Sequence, residues 1–282
     1  MNILQSAAPT AALQGFVRAY AQRTSGAAEM DCVQPVPASL EVVLGFEFGA
    51  LPRVDYRNGT SEPAHRIALV GPHTRPDATL TVSAEVESFA VFLQPTALQS
   101  VLGIPTHLLV DCSYPAAHVL GSGVELLWSV LAEANSFGER VRLVERYLLS
   151  LLQVAELTTV CHVAMDTFHG HGQLEVRQMA ASASLSVRQF ERQFKTELGM
   201  PPKLFARIAR FQFALDAKLV NPHRSWLEVA HVSAYYDQMH LVRDFQHLAG
   251  ASPSHLMLQL GDTRPPALAE AVTSASPRRV SA

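Results

Sequence analysis

In the first third of the chain, apolar and polar residues alternate in short runs divided by prolines. Leu40–Phe48 is rich in β-branched and aromatic residues, Arg66–Val70 is a second apolar run, and Leu80–Val86 alternates strictly. Phe89–Leu93 alternates in the opposite phase, which requires a turn or bulge near Glu87. Pro35, Pro37, Pro52, Pro63, Pro72 and Pro76 punctuate these segments. Five or more short strands in about sixty residues predict a small antiparallel sheet closing into a barrel or half-barrel. Ahead of it, Leu13, Phe16, Val17 and Tyr20 recur at helical spacing, so Thr10–Arg23 reads as a helix.

After Pro95 the period becomes helical, over Thr96–Leu102, Gly123–Asn135 and Glu139 to about Ala155. In the last of these, Val141, Val144, Leu148, Leu151 and Leu152 make a wide stripe, with Leu143 and Tyr147 beside it. So broad a stripe suits packing on the domain's own sheet, pairing of two copies of the chain, or both. Leu157–His169 reads as a further helix ended by Gly170 and Gly172, and Pro202–Val220 as one long helix of about 28 Å. Beyond Gly261 the sequence is Pro, Ala, Ser and Arg without period, and a disordered tail is expected. The predicted fold class is α+β. A β-rich domain over 1–155 precedes an all-α domain over 156–260 and a tail over 261–282.

The most informative stretch is Leu185–Phe205, LSVRQFERQFKTELGMPPKLF. Ser186 is a helix-capping residue type, and Gly199 followed by Pro201 and Pro202 ends the helix sharply. Phe190, Phe194 and Leu198, four apart, share one face. At about 100° per residue, Arg188, Gln189, Arg192, Lys195 and Thr196 occupy the opposite one. An aromatic back and a basic front suit the major groove of DNA. The pattern then repeats. A shift of fifty-one residues takes Phe190 to Leu241, Arg192 to Arg243, Phe194 to Phe245, Gly199 to Gly250 and Pro202 to Pro253; upstream of the turn, Met179-Ala180 matches Val229-Ala230 at a shift of fifty. Each copy reads as a helix (Glu175–Ser182, Trp226–Ser233), a turn and a second helix, with one residue inserted in the second turn.

This arrangement resembles the DNA-binding domain of AraC-family bacterial transcriptional regulators. The first copy carries Ser-x-x-x-Phe-x-Arg-x-Phe-Lys followed by Gly-x-Pro. The second keeps Asp237, Gln238, His240, Arg243 and Phe245 of the family's most recognisable string. Ser184 and Ala234 stand where the family has a turn glycine, and Gln246 where it has a lysine. The resemblance covers roughly Leu157–Leu260. It implies a small cupin-like β-barrel ahead of the paired motifs that senses an effector or forms a homodimer. It further implies a cytoplasmic setting and RNA polymerase as a partner.

Composition agrees with this division. Residues 1–170 hold sixteen acids, nine arginines and no lysine, a net charge of −7, whereas 171–260 carries +3. A polyanion is drawn to the second half and repelled by the first. Cys32, Cys112 and Cys161 are odd in number and widely separated, which fits reduced thiols better than a disulfide framework. No apolar run is long enough to span a bilayer. His65, His73, His107 and His118 lack ligand-like spacing, and His169 and His171 sit at a helix end, so no metal site is expected. No cofactor motif or catalytic set assembles from neighbours, and the chain is expected not to be an enzyme.

The residues expected to meet double-stranded DNA are Arg188, Gln189 and Arg192 at base edges, with Lys195 and Ser186 on phosphates. The second motif offers Gln238, Met239, His240 and Arg243; Arg243 is the one permanent cation on its outward face, so it is expected to add less electrostatic affinity. Arg53, Tyr56, Arg66 and Glu47 are residue types able to anchor a polar effector. Two other readings remain open: a protein-interaction module built on degenerate motifs, and an enzyme with a DNA-binding appendage.

Overall fold

The computed structural model describes residues 3–25, 32–82, 85–152, 157–260 and 264–268. Among these residues, ten strands occupy the first part: β1 (Ile3–Ala7), β2 (Val17–Thr24), β3 (Cys32–Val36), β4 (Val42–Glu47), β5 (Arg53–Tyr56), β6 (Ser61–Pro63), β7 (Ile67–Val70), β8 (Ala78–Val82), β9 (Glu87–Leu93) and β10 (Ser113–Pro115). They form two antiparallel sheets, ordered β1-β2-β9-β4-β7-β10 and β3-β8-β5-β6. The expected barrel is thus not closed: each sheet keeps two open edges. Four helices complete this part, namely α1 (Ala97–Leu102), α2 (Ala116–Leu120), α3 (Gly123–Ala132) and α4 (Phe137–Leu151). Alternation along β4 sends Val42, Leu44 and Phe46 into a core shared with Tyr20, Phe89, Val91, Val124, Val144 and Leu148.

The predicted helix over Thr10–Arg23 is overturned. Leu13 to Val17 form a tight turn, with the Phe16 and Val17 N–H groups bonding the Leu13 carbonyl, and β2 follows. Val17 to Ala21 are all buried, because this strand is covered on both faces. A strand buried on both sides loses its alternation, and only the misleading helical spacing of its apolar residues remains visible. The turn anticipated near Glu87 does occur just ahead of β9, where Glu85 has φ 67°.

Seven helices follow: α5 (Thr159–His169), α6 (Val176–Ser182), α7 (Val187–Leu198), α8 (Pro202–Val220), α9 (Trp226–Val232), α10 (Gln238–Ala249) and α11 (Pro253–Leu260). The division expected at 155/156 lies outside the described residues. Helix α8 is the axis of this half, with Phe205, Ile208, Phe211, Ala214 and Leu215 all buried. The loop after α5 presses so closely on it that a Cβ at Gly172 (φ 66°) would meet the Ala206 carbonyl oxygen at 1.9 Å. Only glycine fits there.

The two halves are locked through α8. Arg18 of β2 pairs with Glu41 and, at 2.8 Å, with Asp216 of α8; Asp216 also accepts from Arg264 at 2.6 Å. Gln212 accepts from the Leu40 N–H at 3.0 Å and donates to Glu41. Burial alone would raise the Glu41 carboxyl, but Arg18 and Arg264 hold it below its usual range. Burial likewise works against the charged Arg264, yet Asp216 keeps it above its ordinary value. Arg264 belongs to the stretch where a disordered tail was expected. Within that stretch Arg264–Leu268 packs on the first sheet: the Ala267 N–H bonds Ser6 Oγ at 3.1 Å, and Leu268 is buried beside Ala19 and Phe92. Residues 261–263 and 269–282 lie outside the described residues.

Candidate nucleic-acid interface

Each motif is built from the same local devices. Ser186 caps α7: its Oγ accepts from the Gln189 N–H at 3.4 Å, while Gln189 Oε1 accepts from the Ser186 N–H at 3.3 Å and hydroxyl at 2.7 Å. Asp237 caps α10 by accepting from the His240 N–H at 2.6 Å. Both helices are twelve residues long and end on a left-handed glycine, Gly199 at φ 75° and Gly250 at φ 70°. Helices α6 and α9 are both seven residues long.

The turns match as closely. Ser184 has φ 55° and Ala234 φ 54°. In each turn three N–H groups bond back to the preceding helix: Ala183, Ser184 and Leu185 to Met179, Ala181 and Ala180, then Ser233, Ala234 and Tyr235 to Val229, His231 and Ala230. The absent turn glycines have therefore not altered the turn. They leave strain, because a Cβ is disfavoured in the left-handed region. Ala234→Gly is expected to stabilise the protein by about 1 kcal/mol, read by urea unfolding. An unchanged midpoint would mean that Ala234 bears no strain.

The backs of both reading helices are pinned to α8. Phe190, Phe194 and Leu198 are buried, with Phe190–Phe194 centroids 5.4 Å apart and Phe194 edge-on to Phe205 at 5.3 Å. Phe245 meets Phe211 edge-on at 4.8 Å and Trp226 at 5.5 Å. A polar tie reinforces the second motif, since Arg207 of α8 donates to the buried Asp244 of α10 at 2.6 Å. The sequence reading missed that tie: Asp244 sits beside the outward-facing Arg243 and carries no sign of burial.

The opposite faces are open. Arg188, Gln189, Arg192 and Lys195 are all exposed, as are Ser186, Gln238, Met239 and Arg243. His240 is half-buried, its ring edge-on to Tyr235 at 5.3 Å. The capping box engages the Gln189 carbonyl oxygen, which leaves its amide NH2 as the group free to donate.

Residues 179–259, which take in most of both motifs, match a family model described as a helix-turn-helix domain. The chain carries an AraC-type DNA-binding domain. No protein of curated function matches the sequence. An apo lysine-to-alanine variant of ToxT from Vibrio cholerae is similar in structure, with a TM-score of 0.50 at 8% identity, over 86% of this chain and 97% of that one. Another ToxT structure from V. cholerae has a TM-score of 0.47 at 9% identity, over 92% and 98% of the two chains. The AraC-like transcriptional activator CuxR reaches 0.29 at 11%, over 82% and 89%. At 8% identity the first of these likenesses speaks for the fold alone.

The four residues picked out as effector anchors all lie in the sheet domain, as two pairs: Arg53 and Tyr56 on β5, and Glu47, whose N–H bonds the Arg66 carbonyl at 2.9 Å. Arg53 pairs with Asp55 at 2.9 Å on the surface, and the Tyr56 hydroxyl donates to Glu62 at 2.8 Å. Arg66 lies over the Trp128 ring at 5.2 Å. Burial pushes the Glu47 carboxyl up to about 8 against the pull of Arg23, and burial together with Glu62 pushes the Tyr56 hydroxyl up to about 12. An apolar cavity of about 20 Å³ lies elsewhere, lined by Leu13, Phe16, Leu44, Leu98, Leu148 and their neighbours. Among the described residues no group of three or more His, Cys, Asp or Glu side chains is arranged to hold a metal ion, and no helix is long and apolar enough to cross a membrane. His171 stacks on Phe213 at 3.8 Å.

Proposed function

We propose that the protein regulates transcription by reading two adjacent DNA segments, one with each motif, in the cytoplasm and without catalysis. The observation that carries this is the duplicated reading helix: two twelve-residue helices with matching turns fastened to the one helix α8, each turning an exposed polar face outward. Helix α8 is about 28 Å long, near the roughly 34 Å of one DNA turn, so the reading helices fit successive major grooves on one side of the duplex. Arg188 and Arg192 read base edges from the first motif, while Lys195 and the N-terminal end of α7 hold phosphates. Gln189 joins them once its cap hydrogen bond is released. From the second motif, Gln238, Met239, His240 and Arg243 approach the next groove.

Two features of the sheet domain bear on regulation. The cavity between β2, β4 and the helices is wholly apolar and in this state has room for little more than one water, so an effector entering it is itself apolar and spreads those side chains apart. Leu126 and Val130, four apart on α3, and Leu149 of α4 are exposed. An open apolar face of this kind suits a homodimer formed through the α3–α4 pair. RNA polymerase is the further partner that this function calls for.

The test is Arg192→Ala in a binding assay against the selected operator and against random duplex. The expected loss is about 1–3 kcal/mol on the operator, with relaxed preference at one base position. An equal loss on random DNA would contradict base reading by this residue.

A further inference from the structure

The two reading helices share a backbone but differ in chemistry at their entry ends. The second helical residue of α7 is Arg188; its counterpart in α10 is Met239, 57% exposed. The matched turn hydrogen bonds set Leu185 against Tyr235, and the caps set Ser186 against Asp237. Tyr236 is therefore the inserted residue. It has no counterpart in the first motif and is 93% exposed, immediately before the cap. Arg243, by contrast, keeps the place of Arg192. Where the first motif presents a guanidinium, the second presents a thioether with an extra aromatic ring three residues before it. Among the described residues, neither side chain has a hydrogen-bond or ring partner.

Large apolar groups in water gain free energy on binding only where they meet other apolar atoms. In the major groove that group is the C5-methyl of thymine. Guanine offers N7 and O6 at the same depth, and an apolar side chain would strip their water without replacing the hydrogen bonds. Arginine has the opposite preference, because it bonds both acceptors at once. The entry end of a reading helix is also where this class of motif makes its base contacts, which favours DNA over a protein as the occupant.

We propose that Met239 and Tyr236 make the second motif a reader of thymine methyl groups, while Arg188 at the matching place makes the first a reader of guanine. This rests on the reading that both helices enter major grooves. The operator is accordingly asymmetric in composition: guanine under the entry end of α7, thymine under that of α10.

The experiment begins by selecting bound sites from random duplex with the full-length chain. Each thymine of the selected site is then replaced by uracil, which removes one methyl group and nothing else. Affinity is expected to fall about fourfold at one or two thymines under the second motif, the size of one methyl-scale burial. A Met239→Ser, Tyr236→Ser double variant should be indifferent to the same replacements. In a repeated selection, Met239→Arg should change the preferred base at its position from thymine to guanine. Both residues are exposed, so these variants are expected to keep the parent's circular dichroism. If a site is selected but uracil is tolerated throughout that half, or if the variants keep the parent's preference, the inference is overturned while DNA reading stands; the exposed pair then serves a protein contact. If no site is selected, the underlying DNA reading fails and the inference fails with it.

Discussion

Replacing Asp216 by alanine is expected to destabilise the full-length protein by about 3–5 kcal/mol, the largest loss anticipated for any polar side chain described above. Asp216 is wholly buried on α8 and is the shared partner of Arg18 and Arg264. Removing it leaves two guanidinium groups out of water with Glu41 as their remaining carboxylate. Their own hydrogen bonds do not compensate: Arg18 keeps Glu41 and the Leu268 carbonyl, and Arg264 loses its ion-pair partner. Urea unfolding reads the loss. The cluster also joins β2, the 37–41 loop, α8 and the segment after α11. Limited proteolysis of the variant should therefore cut earliest near that segment. A loss below about 1 kcal/mol would mean that the cluster is hydrated and does not fasten the two halves.

The second large effect is expected at Phe245. This side chain is fully buried between Phe211 of α8 and Trp226 of α9, so it supports the seat of α10 from two sides. Phe245→Ala should cost about 3–5 kcal/mol in stability, combining lost transfer free energy with the cavity left behind. Below the unfolding transition it should also weaken operator binding, because α10 loses the contact that fixes its angle to α8. Phe245→Leu, which fills more of the space, should recover most of both losses. Stability lost without any change in operator affinity would show that α10 contributes nothing to reading DNA.

The helical half was legible in the sequence nearly to the residue. Its helices are amphipathic, and each end carries its own signal: Ser186, Asp237, Gly199, Gly250 and Pro202 are local devices that work without knowledge of the tertiary fold. The duplication added a second reading of each element. The sheet half was legible only in outline. Strands β4, β7 and β9 alternate or run apolar and were recognised, whereas β5, β6 and β10 are three or four residues long and carry too few positions to show a period. Burial of β2 on both faces disguised it as a helix. Arg18 illustrates the remaining limit. A lone arginine in an apolar run looks solvated, and its burial depends on Glu41, Asp216 and the Leu268 carbonyl, up to 250 residues away. The surroundings of the effector candidates are hidden for the same reason. Residue type alone points to Arg53 and Tyr56, whereas their surface partners are set by strand pairing that no local pattern reveals.

Hydroxyl-radical footprinting on the selected operator tests most directly whether α8 holds the two reading helices one helical turn apart. Two protected patches are expected, their centres about 10 base pairs apart on one side of the duplex, and insertion of five base pairs between them should abolish the second patch while leaving the first. Protection of a single groove, or of two patches on opposite sides, would contradict the account.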